Sequence, residues 1–166
     1  FKVGDAIRVL PTGQESTIAT IEKFETKLDQ AIAGDSVTIT LTTDVDISRG
    51  NTLVLASEEN APALKDFSAQ VCWLDHTALS PGKTYLLQHG INTTKAKISQ
   101  ITERLDVATQ TSTQGVDTLK LNEIGTIALR TAQPISADQY AANPANGAFI
   151  LIDEFSNSTV GVGFVK

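Results

Sequence analysis

The sequence predicts an all-β protein, and three observations favour that class. Apolar and polar residues alternate in many short segments, for example along residues 36–43 and 67–74. Those segments are rich in valine, isoleucine and threonine, which suit strands. Glycines bound them at regular spacing. Many short strands joined by glycine-rich turns are typical of antiparallel barrels or sandwiches.

The first part of the chain predicts four strands. They lie in "DAIRVLP", "STIATIEKF", "DSVTITLTT" and "NTLVLAS", with turns at Gly4, Gly13, Gly34 and the "DISRG" that ends at Gly50. The alternation then stops at "EENAPALKD", where charges, alanine and proline replace threonine and valine. We therefore predict a linker over residues 58–66 between a domain at 1–57 and a domain at 67–166.

The second part predicts strands in "FSAQVCWL", "TYLLQHG", "IGTIALRT", "AFILID" and "STVGVGF". One irregular segment interrupts them, "SADQYAANPANG". There Ser136 is placed to cap a single helical turn, which Asn143-Pro144 would end.

The segment "KAKISQITERLDVATQT" is ambiguous. Ile98, Ile101 and Leu105 have helical spacing, and on periodicity alone a helix is the better interpretation. The strands around it and the family resemblance described below favour a long bent strand. We therefore predict extended structure from Thr93 to Thr111.

The closing strand raises a separate question, because Gly161 and Gly163 alternate with Val160, Val162 and Phe164. Glycine weakens a strand unless a close neighbour requires the missing side chain. The alternation predicts that the valines and the phenylalanine face the core and that the glycines face away from it. Either another backbone then approaches the bare face, or the glycines only ease coiling of the strand.

Composition excludes several classes of protein. The chain has 166 residues, a net charge of −6 and no run of basic residues, which disfavours binding to nucleic acid. It contains a single cysteine, Cys72, so a disulfide framework or a cysteine metal cluster is not expected. No apolar segment approaches the length of a membrane span. These features predict a cytoplasmic protein without a membrane partner.

Three places in the sequence carry residues typical of phosphate-binding or histidine chemistry. Gly82-Lys83-Thr84 matches the end of a phosphate-binding loop, but Thr77 stands where the first glycine belongs and a strand is predicted to follow. A turn with a solvated lysine is the better interpretation. His76 and His89 are too far apart for ligand spacing, so neither predicts a metal site or a catalytic triad.

The remaining polar candidates have simpler explanations. Asp153 and Glu154 are adjacent, so on a strand they would point to opposite faces and not converge on one substrate. Asp44 and Asp46 are expected to hydrogen-bond local backbone in a turn. The sequence thus predicts no catalytic residue, no cofactor-binding residue and no metal ligand in this chain.

Several motifs carry a family resemblance. "FKVGDAIRVLP", "AIAGDSVTITL" and "DISRGNTLV" resemble the second domain of elongation-factor-Tu-type GTPases, and "TVGVGFV" is similar to the end of their third domain. "VCWLDHTALSPGKTYLLQHG" and "NPANGAFILIDEFSNS" resemble one branch, the GTPase subunits of bacterial heterodimeric sulfate adenylyltransferases. Val162 departs from that pattern, which usually has alanine there.

The resemblance implies two antiparallel β-barrels. Residues 1–57 would be a second-domain barrel truncated at its N-terminus, and residues 67–166 a third-domain barrel. It implies a non-catalytic region that couples GTP hydrolysis to synthesis of adenosine 5′-phosphosulfate by a partner small subunit. GTP and magnesium are expected only in a GTP-binding domain that this sequence lacks. The partners implied are that domain and the small subunit.

Three alternatives are also compatible with the sequence. One is a fragment of a translational GTPase that binds tRNA, against which the acidic composition counts. Another is a bifunctional relative with a fused adenylylsulfate kinase after Lys166. The third is an unrelated β-sandwich adhesion module, against which the ordered set of motifs counts.

Overall fold

A computed structural model describes residues 1–58 and 63–166 of the chain. Its contacts divide the chain into two units, Phe1–Ala61 and Pro62–Lys166. Within the described ranges every regular element is a β-strand, and none is a helix that could span a membrane. One strand begins at Leu64, so the end of the predicted linker 58–66 belongs to a strand, while residues 59–62 lie outside the described ranges.

The first unit is an antiparallel sheet of five strands, in which β4 and β3 both pair with β2 and the main order is β3-β2-β1-β5. Among the described residues no pairing joins β5 to β3 or β4, so this sheet is open. The strand bounds are β1 Ala6–Leu10, β2 Glu15–Lys23, β3 Thr26–Leu28, β4 Thr38–Leu41 and β5 Thr52–Leu55.

Alternation along β1 and β2 builds the small core of this unit. Its fully buried members are Ile7, Val9, Ile18 and Ile21, and half-buried residues such as Leu53 pack around them. The turn glycine of the "KVGD" motif, Gly4, has φ +92°, a backbone conformation that residues with a side chain rarely adopt. The motif is therefore explained by backbone conformation and not by ligand chemistry.

The second unit is a closed six-stranded barrel. Its strands follow the order β10-β6-β12-β11-β7-β8, and pairing of β8 with β10 closes the ring. The short strand β9 extends the sheet beyond β8. The strand bounds are β6 Leu64–Trp73, β7 Thr84–His89, β8 Asn92–Asp106, β9 Thr111–Gln114, β10 Ile124–Ile135, β11 Ala148–Ile152 and β12 Thr159–Val165.

The ambiguous segment forms the long strand β8, as predicted, although the chain turns at residues 107–110 before β9 begins. Its helix-like spacing has a local cause. Ile98 pairs with Leu129 and Ile101 with Ile127, and both isoleucines are buried although they are three residues apart. The pairing register shifts between them, which marks a β-bulge. A bulge adds one residue to a strand and so turns a spacing of two into three.

The predicted single turn after β10 is present within the irregular segment at residues 136–147, and no longer helix forms there. The amide N–H of Asn143 donates to the carbonyl oxygen of Gln139 at 3.0 Å, which closes a single turn. Ser136 does not cap it. Its carbonyl oxygen instead accepts a hydrogen bond from Nδ2 of Asn146 at 3.0 Å.

The predicted orientation of the closing strand is wrong. Gly161, Gly163 and Val165 are buried, while Val162 and Phe164 are half-buried on the outer face. A register shift near Thr159 also buries Val160. The nearest neighbours of the glycines are side chains and not another backbone. A Cβ on Gly163 would overlap the ring of Phe149, and one on Gly161 would lie 3.2 Å from Trp73 and 3.4 Å from Val71.

Candidate functional site

One end of the barrel carries a groove of about 520 Å³. The topology explains why distant segments meet there. Strands β6, β12, β11 and β7 are antiparallel neighbours, so β6 and β11 end where β12 and β7 begin. The groove is lined by Trp73, Asp75, Thr77, Lys83, Thr84, Tyr85, Asp153, Phe155, Ser156 and Val160.

Two aromatic side chains form the floor of the groove. Trp73 and Tyr85 are buried, and their rings meet edge to face with centroids 5.5 Å apart. The indole Nε1–H of Trp73 donates to the carbonyl oxygen of Thr77 at 2.8 Å. The indole therefore holds the segment after β6 against the barrel.

The phenol of Tyr85 is held in its neutral form. Burial, reinforced by the negative charges of Asp153 and Asp75, raises the pKa of Tyr85 to about 12. A phenol with that pKa is protonated at neutral pH, so it is a poor base or nucleophile. Its contribution to the groove is an apolar ring with a polar tip.

The carboxylate of Asp153 organises the loop between β11 and β12. Its Oδ1 accepts hydrogen bonds from the N–H of Phe155 at 3.1 Å, the N–H of Ser156 at 2.8 Å and the hydroxyl of Ser156 at 3.0 Å. Hydrogen bonds from Ser156, with the nearby charge of Lys83, hold the pKa of Asp153 below its usual range. Asn157 completes the turn with φ +56°.

This loop presents Phe155 to solvent at the rim of the groove, where its side chain is 95% exposed. Asp75 plays a similar local role on the opposite side, since its Oδ1 accepts a hydrogen bond from the N–H of Thr77 at 2.6 Å. The carboxylates of the groove thus order their own loops. An aromatic floor beside an exposed aromatic rim suits recognition of another molecule better than acid–base catalysis.

The phosphate-binding motif at Gly82-Lys83-Thr84 does not form a phosphate loop. Strand β7 begins at Thr84, so no helix N-terminus faces the lysine. Gly82 has φ +87° and occupies a turn, as the simpler interpretation predicted. Lys83 contributes to the groove as a cation at its edge.

The other residues singled out by sequence are dispersed. His76 is exposed, whereas Nε2 of the buried His89 donates to the carbonyl oxygen of Asn146 at 2.9 Å. Cys72 is half-buried on the outer face of β6, opposite Ile124 and Val162. Within the described ranges no group of three histidine, cysteine or acidic residues is placed to hold a metal ion.

Acidic residues in the loops differ from the sequence expectations. Asp153 and Glu154 follow β11 in a turn, and Glu154 lies 3.0 Å from Nζ of Lys95 while Asp153 binds its own loop. The local hydrogen-bonding role expected of Asp44 and Asp46 stays a prediction. Asp35 shows such a role in another loop, where its carboxylate accepts a hydrogen bond from the N–H of Ile32 at 3.1 Å.

Sequence reasoning missed the groove, although a signal was present. Acidic residues directly follow the apolar ends of two predicted strands, at Asp75 and Asp153. Once the strand order is known, those ends are seen to meet at one rim. The motif "NPANGAF" has a packing explanation that the sequence did not reveal, since a Cβ on Gly147 would overlap the backbone of Tyr140.

Comparison with known families gives a match over most of the second unit. Residues 66–166 match the family described as GTP-eEF1A C-terminal domain-like. Among curated proteins, the sulfate adenylyltransferase subunit 1 of Cellvibrio japonicus (strain Ueda107) is 41% identical over 164 residues. The match covers 99% of this chain and 34% of that protein, so the chain spans about a third of the length of its relative.

Solved structures agree on the fold. Crystal structures of sup35, one in complex with GDP and one with GMPPNP, superpose with TM-scores of 0.85 and 0.86. Each match covers 99% of this chain and 40% of the sup35 chain, at 20% sequence identity. The fold predicted from the elongation-factor resemblance is therefore confirmed.

Proposed function

Since the chain belongs to the GTP-eEF1A C-terminal domain-like family, we propose that it is the C-terminal region of a sulfate adenylyltransferase GTPase subunit. In this role it acts as a non-catalytic scaffold that couples GTP hydrolysis to synthesis of adenosine 5′-phosphosulfate. The observation that carries the proposal is the 41% identity to sulfate adenylyltransferase subunit 1, which extends over 99% of the chain.

The geometry of the groove supports a scaffold role. Its carboxylates are engaged in their own loops, and its one phenol is neutral at physiological pH. Coupling requires a surface that another domain or subunit contacts differently in different nucleotide states. A closed barrel with an exposed aromatic rim offers such a surface without providing chemistry of its own.

The proposal assigns specific partners. The first is the GTP-binding domain of the same subunit, which would hold GTP and magnesium. The second is the small subunit that joins sulfate to ATP, with which the GTPase subunit forms a heterodimer. Both reactions use soluble nucleotides, and the proposal accordingly places the protein in the cytoplasm.

A domain exchange tests the coupling role. This chain would replace the corresponding third of the Cellvibrio japonicus subunit, and the product would be paired with the small subunit of that organism. We expect GTP to stimulate adenosine 5′-phosphosulfate formation in the exchanged enzyme, and Phe155→Ala to weaken that stimulation without changing GTP affinity. A matched control is Phe24→Ala, which removes an equally exposed phenylalanine from the first unit.

A chimera that binds GTP normally, joins the small subunit and shows no stimulation would contradict the coupling role. The isolated chain provides a second test. We expect no GTP hydrolysis and no adenosine 5′-phosphosulfate synthesis from it. Calorimetric titration that returned low-micromolar GTP affinity would refute a scaffold that lacks a nucleotide site of its own.

A further inference from the structure

Four cations of this acidic chain gather around one shallow groove on the barrel wall. The groove has a volume of about 320 Å³ and is lined by Lys65, Thr84, Lys95, Lys97, Arg130, Thr131 and Ala132. All four cations are exposed. We call this set, Lys65, Lys95, Lys97 and Arg130, the basic groove. The whole chain carries a net charge of −6, so the cluster opposes the overall charge of the molecule.

The strand register makes the cluster unfavourable in itself. Lys97 on β8 lies directly opposite Arg130 on β10, and Lys95 lies two residues away on the same face of β8. Like charges placed directly opposite on one face of a sheet destabilise it. Without an anion between them, folding therefore works against this arrangement.

The protein neutralises the basic groove only in part. Arg130 Nε lies 3.7 Å from Asp66 Oδ1, and both side chains are more than 60% exposed. Lys95 Nζ lies 3.0 Å from Glu154 Oε1. Within the described residues neither Lys65 nor Lys97 has an ion-pair partner. The groove therefore keeps a local excess of two positive charges.

We propose that the basic groove is a docking site for an acidic segment of a partner protein. Carboxylates of an extended segment would lie between Lys97 and Arg130 and reach Lys65, relieving the repulsion that the register creates. Thr84 and Ala132 also line the groove, and both are exposed. This proposal does not depend on the coupling role, and its test does not use enzyme activity.

Charge distribution favours an acidic protein over nucleic acid. A protein that binds the phosphate backbone of nucleic acid strongly makes on the order of 6–10 phosphate contacts. This groove offers two unpaired cations, in a chain of net charge −6. The arrangement also exceeds the needs of one small anion. Its cations extend over three strands, and neighbouring strands are about 4.8 Å apart.

The test uses the whole chain and a fluorescein-labelled oligoglutamate peptide, with binding measured by fluorescence anisotropy at low salt. We expect Lys97→Gln and Lys65→Gln each to weaken binding about three- to fivefold, and the double variant about tenfold. The matched control is Lys120→Gln, which removes the same charge from an exposed turn of the same unit and is expected to leave binding unchanged.

A second readout separates docking from a general loss of charge. Lys97→Gln removes the repulsion with Arg130, so we expect its urea midpoint to rise while its peptide affinity falls. Lys120→Gln is expected to change neither.

Four outcomes would overturn the proposal. The first is absence of peptide binding by the parent chain, and the second is equal binding by the Lys97 and Lys120 variants. The third is displacement of the peptide by tRNA at lower concentration than by free oligoglutamate, which would assign the groove to nucleic acid. The fourth is stronger displacement by sodium sulfate than by sodium chloride of equal ionic strength, which would assign it to a small anion.

Discussion

The two units of the chain bury their apolar residues in different ways. The open sheet of the first unit encloses a cluster of four fully buried side chains, while most of its apolar partners stay half-buried. Among the residues that the structure describes, the core cluster of the closed barrel contains eighteen buried apolar residues, including Trp73 and Leu87. Closing a sheet removes its edges, so every strand contributes one whole face to the interior.

Both units use glycine at turns that require a positive φ, and the closed barrel adds a second role for glycine. In the first unit Gly4 and Gly34 are needed for backbone conformation, with φ near +90° at turns. In the barrel Gly161 and Gly163 are needed for space, because aromatic rings fill the interior above them. A closed interior therefore adds a packing constraint to strand residues that an open sheet does not impose.

The largest contrast is expected from matched leucine truncations. Leu87→Ala empties a fully buried site in the barrel and should lower its free energy of unfolding by about 2–5 kcal/mol. Leu53→Ala removes a half-buried side chain from the open sheet and should cost about 1 kcal/mol. Trp73 is the only tryptophan of the chain, so its fluorescence during urea unfolding reports on the barrel, while circular dichroism reports on both units. Equal losses would mean that closure adds no stability to the core.

The glycines of the closing strand give the next contrast. Gly163→Ala places a methyl group against the ring of Phe149 and should destabilise the barrel by about 1–3 kcal/mol. Gly161→Ala meets Trp73 at 3.2 Å and should cost less than about 1 kcal/mol, partly offset by the lower entropy of the unfolded chain. Neither glycine has a positive φ, so steric contact alone sets the difference. A stabilised Gly163→Ala variant, measured by its urea midpoint, would contradict the packing assignment.

Alkaline pH should affect the barrel through Tyr85. Its pKa is about 12 in the folded state and about 10 in an unfolded chain, so folding favours the neutral phenol. The stability that the neutral phenol contributes is fully present below a pH of about 10 and is lost as the pH rises toward 12. The urea midpoint of the parent chain should therefore fall across that window, and the urea midpoint of the Tyr85→Phe variant should fall less steeply. Identical slopes in the two proteins would remove Tyr85 as the cause.

The smallest contrast concerns two phenylalanines, one in each unit, that are both 95% exposed. Phe24 occupies a turn with φ +55°, which a bulky side chain disfavours, whereas the backbone at Phe155 is not left-handed. Phe24→Asn should therefore raise the stability of the first unit by about 0.5–1 kcal/mol. Phe155→Asn should change stability by less than about 0.5 kcal/mol. Thermal unfolding followed by circular dichroism compares them, and a destabilised Phe24→Asn would reveal a contact that the exposure does not show.

Sequence patterns predicted the structure correctly where the conformation depends on residues within one strand or turn. Alternation, glycine punctuation and family motifs predicted the β-class, the turn at Gly82 and the extended β8. They failed where two strands interact. The spacing of Ile98 and Ile101 looks helical in one strand, and only its pairing with Ile127 and Leu129 shows the bulge that produces it.

The candidate site illustrates the same limit. Asp75 and Asp153 are almost eighty positions apart, and each by itself is an ordinary loop carboxylate. Their convergence on Tyr85 follows from the order β6-β12-β11-β7, which no local pattern specifies.

Residues within a few positions of one another are sufficient to predict the strands, the tight turns, the aliphatic core and the acidic surface of this protein. The face of the closing strand that points inward depends instead on strand pairing, because a register shift near Thr159 changes the direction of the side chains after it. Strand pairing also places Lys97 opposite Arg130, since strands distant in sequence become neighbours only when the barrel closes.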